Sequence, residues 1–324
     1  MPRAVKSSRT SPPKETHVNR EEIKKLIRGT PATVPTPFDD KYQVDYAKLT
    51  DLTKWWVEQG LGTDVAPIKT SAAMGEGPDL NDEEWPAILR TVVNAAPRGT
   101  KVICALKTKN TLHTIEDAKR AADLGAIGLQ IDLPIFHHSN QDDYVRYFTD
   151  ISDKIDIGIM IYNTWWFGCE HLEPDTILRL KDAEHVTAIK WSAPQGKNYD
   201  DMTKFSGIFN VIDNSGQAVR AHKNGGRGYI SATIAAYPKF DLEVWKLLEA
   251  KKYDEAQAML DKYRTPWSEW AKKASAKSGG YRQIKGLMRA IGKPAGDPRP
   301  PTLPCSEEEV ADLKKVLKGM GWIK

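Results

Sequence analysis

Cysteine is scarce in this chain of 324 residues: Cys104, Cys169 and Cys305 are far apart and odd in number. They form no disulfide framework and no metal-ligand spacing, so a reducing cytoplasm is the expected compartment and no metal is called for. Long apolar runs are missing too. None approaches the ~18 residues that a bilayer span needs. The N-terminal "MPRAVKSSRTSPPKETHVN" lacks the apolar stretch of a secretory signal, and its prolines oppose the amphipathic helix of a transit peptide. A large excess of either charge is missing too, since 47 basic residues face 43 acidic ones for a formal net charge of +4, which argues against a nucleic-acid partner. No glycine-rich dinucleotide fingerprint follows the first strand-like run, so no nucleotide cofactor is implied.

What is present is a 40% hydrophobic chain, ample for a sizeable core. Short β-type runs alternate with helical patterns: 30–38, 63–69, "KVICAL" (101–106), "IGLQIDL" (127–133), "IGIMIYN" (157–163), "VTAIKW" (186–191), "IFNVID" (208–213) and "GRGYISA" (226–232). Between them lie helical spacings, as in "DYAKLTDLTKWWVEQ" (45–59), where Tyr46, Leu49, Leu52, Trp55 and Trp56 share one face. Parallel strands need long crossovers, and eight such units in about 200 residues fit a closed (β/α)8 TIM barrel better than an open doubly wound sheet. Residues 239–324 are helical apart from "PAGDPRPPTLP". The expected organisation is a disordered or extended arm (1–27), a barrel (28–238) and a C-terminal helical region (239–324).

In such a barrel chemistry sits at the C-terminal ends of the strands. Lys190 ends the sixth run, within "TAIKWS", and Tyr162 ends the fifth, followed by Asn163. A desolvated amine loses its proton more readily, and a neutral amine attacks a ketone to form an imine. A phenol on the neighbouring strand can shuttle protons, because adjacent strands lie ~4.8 Å apart. The alternatives are a solvated lysine past a strand end and an ordinary core tyrosine. Lys69, which closes "APIK", is the chief rival amine, with Lys107 and Lys109 behind it. Glu76 is expected to brace its loop, Asp213 and Asn214 end run seven, and Ile230 and Ser231 end run eight, Ile230 as a lining residue. His137 and His138 follow run four, where loop histidines are more often solvated than catalytic.

The motifs "TPATVPTPFDD", "GEGPDLNDEEW", "IMIYN", "TAIKWS", "GGRGYISATIAAYP" and "DPRPPTLPCSEEE" together resemble the dihydrodipicolinate synthase / N-acetylneuraminate lyase family over roughly 28–320. The resemblance implies a (β/α)8 barrel with C-terminal helices, a homotetramer built as a dimer of dimers or a dimer, and a pyruvate-like 2-oxo acid as substrate. It places the imine lysine at Lys190 and the acid–base tyrosine at Tyr162. No cofactor or metal is implied.

The departures from the family pattern bear on substrate. Where the family has Gly-Thr-Thr-Gly-Glu after strand two, this chain has Ala72, Ala73, Met74, Gly75 and Glu76. The amides of Ala73 and Met74 can still hold a carboxylate, but a threonine relay is gone. Phe136 stands in place of a tyrosine after strand four, and Phe167 in place of the arginine that holds the second substrate of the synthases. An unpaired charged semialdehyde against these rings is costly, so dihydrodipicolinate synthase activity itself is not expected. Sialic acid cleavage is not expected either, since a polyhydroxylated sugar needs many hydrogen-bond partners. Trp165, Trp166 and Phe167 instead offer a wall for an apolar or aromatic tail, unless they serve as core or subunit contacts. The layout is similar, more weakly, to the family's benzylidenepyruvate hydratase-aldolases. The expectation is therefore a class I, metal-independent lyase of 2-oxo acids, with Asn163 among the substrate contacts. A dehydratase or deaminase using the same imine, and a non-catalytic small-molecule-binding barrel, are the alternatives.

Overall fold

The structure is a computed structural model that describes residues 19–107, 109–135, 138–279 and 281–324. Eight strands pair in parallel and in chain order. They are β1 (Ala32–Thr33), β2 (Ile68–Thr70), β3 (Val102–Leu106), β4 (Gly128–Asp132), β5 (Gly158–Tyr162), β6 (Val186–Trp191), β7 (Asn210–Asp213) and β8 (Gly228–Tyr229). The crossovers carry α2 (Tyr46–Glu58), α3 (Glu84–Ala95), α4 (Thr111–Asp123), α5 (Gln141–Ser152), α6 (Pro174–Arg179) and α7 (Ala218–Lys223). The ring closes where Gly29 bridges Gly228. There the Gly29 N–H donates to Arg227 O at 2.7 Å and the Tyr229 N–H donates to Gly29 O at 2.9 Å. Only glycines fit this seam: a Cβ on Gly228 would lie 2.1 Å from Gly29 O, and Gly29 itself has φ +71°. The (β/α)8 barrel expected from the sequence is thus the fold.

Three strands are much shorter than their sequence runs, β8 contracting from 226–232 to Gly228–Tyr229. In 30–38 and 63–69 the prolines Pro35, Pro37 and Pro67 supply no N–H to a ladder, and regular pairing contracts to Ala32–Thr33 and Ile68–Thr70. The strands point alternate residues inward. Ile103, Met160, Ala188 and Ile212 fill the lower barrel together with Ile23 and Ile27 from outside the ring.

Those two isoleucines correct the expected arm over 1–27. Arg20–Lys24 forms α1, capped by the Asn19 side chain. The Arg20 guanidinium donates to the carbonyls of Val186 and Ala183, and Asn210 donates to Lys24 O and Ile27 O. The segment is held because it plugs the barrel floor with Ile23 and Ile27. Residues 1–18 lie outside the described residues.

Past β8 come α8 (Pro238–Glu249), α9 (Tyr253–Lys277), α10 (Tyr281–Ala290) and α11 (Glu307–Gly319). A turn at Lys251 (φ +56°) splits what reads as one long helical stretch into α8 and α9. Trp267, Trp270, Leu287 and Val310 from this region join the same hydrophobic core as the outer faces of β2–β7.

Candidate active site

Register builds the site. Asp132 on β4, Tyr162 on β5 and Lys190 on β6 are successive Cα partners across three adjacent strands. Inward-pointing Met160 and Ala188 lie two residues below Tyr162 and Lys190, so all three side chains share the apolar interior at its C-terminal end. Lys190 is 6% exposed, and its Nζ sits over the Tyr162 ring, 3.3 Å from the centroid. It is a buried amine, not a solvated one. Burial drives its pKa well below the usual lysine value, and the nearby charge of Lys69 adds to the effect while Asp132 opposes it.

Lys69, the rival amine, is also inside. It is fully buried, and its Nζ donates to Gln130 Oε1 at 2.9 Å. Burial lowers its pKa to about 7, with Asp132 pulling the other way. Asp132 is pushed up to about 6 by burial, restrained by Lys190, Lys69 and a hydrogen bond from Gln130. Neither Gln130 nor Asp132 stands out in the sequence. The signal for them is polar residues at alternate positions of an otherwise apolar run, "GLQIDL". Lys107 and Lys109 face elsewhere: Lys107 donates to Leu80 O, and Lys109 pairs with Asp82 and Asp117.

The loop after β2 carries a 3₁₀ turn over Ala73–Gly75, whose first residues leave their N–H groups without an intrahelical acceptor. Glu76 braces this loop. It is fully buried at φ +59° and pairs with Lys285 of α10 at 3.1 Å, while the Arg299 N–H donates to its Oε2. Just before the turn, Ser71 also has a positive φ of +59°. The hydroxyls of Ser71 and Ser192 are buried and have no hydrogen-bond partner among the described residues. Each lies two positions beyond one of the interior lysines, in "KTS" and "KWS". Nothing in the local sequence marks these two hydroxyls, because a serine two positions past a strand lysine is as common in a solvated loop.

Asn163 is not available to a substrate in the way expected. Its Oδ1 accepts from the Leu172 N–H at 3.0 Å, and its Nδ2 donates to His171 Nδ1 at 3.0 Å and to Leu172 O. The amide is spent on tying down the loop between β5 and α6. His171, pushed down to about 4 by burial, is the neutral acceptor this arrangement requires. That loop presents a 3₁₀ turn over Trp165–Phe167. Trp166 packs edge-on against Tyr162 with centroids 5.4 Å apart, and against Trp165 at 5.3 Å. Trp166 and Phe167 are 38% and 50% exposed, so they are not core residues.

Ile230 is half-buried and packs with Ile212 on the barrel interior. Asp213 accepts from Tyr199 Oη at 2.7 Å and from the N–H groups of Ser215 and Gln217, bracing its own loop. His138 is exposed. Phe136 and His137 lie outside the described residues. A groove of about 860 Å3 lined by Lys109, Leu112, Pro134, Ser139, Arg146 and Tyr147 includes none of the interior lysines.

The Dihydrodipicolinate synthetase family model matches residues 26–320. The chain is 26% identical to the 4-hydroxy-tetrahydrodipicolinate synthase of Chlorobaculum parvum, over 92% of this chain and 99% of that one. It is 25% identical to the enzyme of the same name from Methanococcus maripaludis, over 92% and 100% of the two chains. Among solved structures, a dihydrodipicolinate synthase of Bacillus anthracis superposes with TM-score 0.77 at 25% identity, covering 92% of this chain and 99% of its own. These names do not bear out the expectation that synthase activity is absent. Among the described residues, no helix is long and apolar enough to cross a membrane.

Proposed function

Since this chain belongs to the dihydrodipicolinate synthetase family, whose members are class I lyases that work through a lysine imine, we propose that it makes or breaks a bond in pyruvate or a longer 2-oxo acid through an imine on Lys190. The observation that carries the reading is the layer of Asp132, Tyr162 and Lys190, with the Lys190 amine buried over the phenol ring. A neutral Lys190 adds to C2 of the oxo acid, and loss of water gives the protonated imine. That cation withdraws electrons from C3, so a C3–C4 bond can break to an enamine or form from one. Tyr162 passes the protons. The N–H groups of Ala73 and Met74 hold the C1 carboxylate.

An apolar or aryl tail fits the turn at Trp165, Trp166 and Phe167, which supports a hydratase-aldolase on an aryl 2-oxo acid as the specific version. A dehydratase or deaminase using the same imine is its runner-up. The synthase reaction named for the relatives is the second reading. Against it stands Phe167, half exposed at the mouth where a charged second substrate would need a cation. The protein is proposed to be a cytoplasmic homo-oligomer, tetramer or dimer, which light scattering on the purified chain tests.

Incubation with pyruvate, reduction with borohydride and peptide mass mapping test the core of the proposal. A mass gain on the Lys190 peptide is expected. No adduct with pyruvate or with longer 2-oxo acids would overturn it in favour of a non-catalytic barrel. Side-by-side assays with an aryl benzylidenepyruvate and with pyruvate plus aspartate semialdehyde then separate the two readings.

A further inference from the structure

Three interior polar groups are given no chemical step in that scheme: Lys69, Gln130 and Asp132. Lys69 is fully buried and donates to Gln130 Oε1 at 2.9 Å, and Gln130 lies two residues before Asp132 on the same face of β4. Asp132 belongs to the same register layer as Tyr162 and Lys190. Below them the barrel is filled by Ile103, Met160, Ala188 and Ile212, with the Asn210 amide spent on the carbonyls of Lys24 and Ile27. Apolar residues in place of Lys69, Gln130 and Asp132 would fold at least as well, because buried ionic groups give up their hydration. Their placement around one reactive amine calls for a chemical reason.

We propose that Lys69 is a positioning residue, anchored by Gln130, whose charge acts on the Lys190 amine, and that Asp132 carries the proton needed when the imine forms. The inference rests on the imine reading above. In the step itself, the Lys190 nitrogen and C2 form a carbinolamine. Its C2–O bond then breaks as Asp132 gives its proton to the departing hydroxyl, leaving protonated imine, water and the Asp132 carboxylate. Hydrolysis of the product imine reverses this and returns the proton to Asp132, so no other reactant is consumed. An acid held up at about 6 is suited to both halves. This carboxyl takes over work that the threonine-lacking "SAAMGE" loop cannot do. Among the described residues, the charged or titratable groups turned toward Lys190 are Lys69 from β2, Asp132 from β4 and Tyr162 from β5, while its β7 partner Ile212 is uncharged.

The test is the pH profile of borohydride trapping with pyruvate, measured on the full chain. Removing a neighbouring cation raises the pKa of Lys190, so Lys69→Met moves the half-maximal pH of trapping upward by about one to three units. Lys69→Arg keeps a cation at this position at every pH tested and does not move the midpoint upward. Asp132→Asn removes an anion and moves the midpoint downward. It also slows turnover by about a hundredfold or more while the adduct still accumulates. Circular dichroism and thermal melts confirm folding, and should Lys69→Met not fold, the Asp132→Asn shift decides alone. Coincident profiles for Lys69→Met and the parent, or an upward shift in Asp132→Asn, overturn the inference. So does a parent adduct on the Lys69 peptide. A parent chain that traps nothing sinks the imine reading itself, a distinct result.

Discussion

The amine of Lys190 rests 3.3 Å from the centre of the Tyr162 ring, and the two residues are Cα partners on β6 and β5. In the proposed reaction the ring is both platform and reagent. Its face covers the nitrogen, while its hydroxyl is the part that can exchange protons. Tyr162→Phe separates the two roles. The ring keeps its packing against Lys190 and Trp166, so the melting temperature stays within a few degrees and pyruvate still traps on Lys190. Turnover falls by about 10²- to 10⁴-fold, the usual worth of a general acid–base group. Full activity in steady-state assays of this variant would remove Tyr162 from the chemistry.

Much of this arrangement was legible in the sequence, for a physical reason. Strand-end positions of a barrel are fixed by counting alternating units, so Lys190 and Tyr162 could be placed on neighbouring strands without coordinates. Lys69 announced itself the same way. Asp132 and Gln130 did not, because an inward-facing polar residue in "GLQIDL" looks the same as an outward-facing one until the register is known. Nor did the bonding of the Asn163 amide to Leu172 and His171, nine and eight residues onward, a loop closure that local pattern does not encode. The ordered plug of Ile23 and Ile27 was hidden by the Ser- and Pro-rich segment ahead of it.

The turn at Trp165–Phe167 sets the substrate prediction. Trp166 touches Tyr162 yet remains 38% exposed, so one side of its ring is open to a bound tail. An aromatic contact contributes about 0.5–1.5 kcal/mol beyond area burial. Trp166→Ala should therefore raise KM for an aryl 2-oxo acid by up to about tenfold. Pyruvate trapping, which has no tail to lose, should hardly change. Equal losses for both substrates in a KM comparison would mean that the ring supports Tyr162 and does not bind the tail.

Glu76 and Lys285 are both buried and lie 3.1 Å apart, joining the loop after β2 to α10. Lys285 also donates to the carbonyls of Thr36 and Ala295. Removing only the cation, in Lys285→Met, strands a carboxylate and should cost about 3–5 kcal/mol in urea unfolding at neutral pH. The loss should shrink toward pH 5. Burial already raises the Glu76 pKa, and without Lys285 to lower it the folded chain takes up the proton more readily. Adding Glu76→Gln should recover most of the stability. A single variant as stable as the parent would show that the pair holds nothing together.

Asp241 of α8 makes the pH dependence specific. It is buried, and its two carboxylate oxygens accept from Tyr229 Oη and Ser231 Oγ, each at 3.0 Å. Burial nevertheless pushes its pKa from 3.8 up to about 7. A carboxyl raised in this way keeps its proton in the folded state while the unfolded chain has lost it. Between about pH 4 and 7 the folded state therefore binds more protons, and stability falls as pH rises through that window before levelling off. Asp241→Asn cannot ionise and escapes the fall, while its amide can still accept from Tyr229 and donate to Ser231. The gap in unfolding free energy between variant and parent should thus widen in the variant's favour from pH 4 to 7, by on the order of 3 kcal/mol, and stay constant above. Denaturant titrations at pH 5, 6, 7 and 8 measure it. Parallel stability curves for the two proteins would mean that Asp241 titrates alike in the folded and unfolded states, and that the hydroxyls of Tyr229 and Ser231 offset its burial in full.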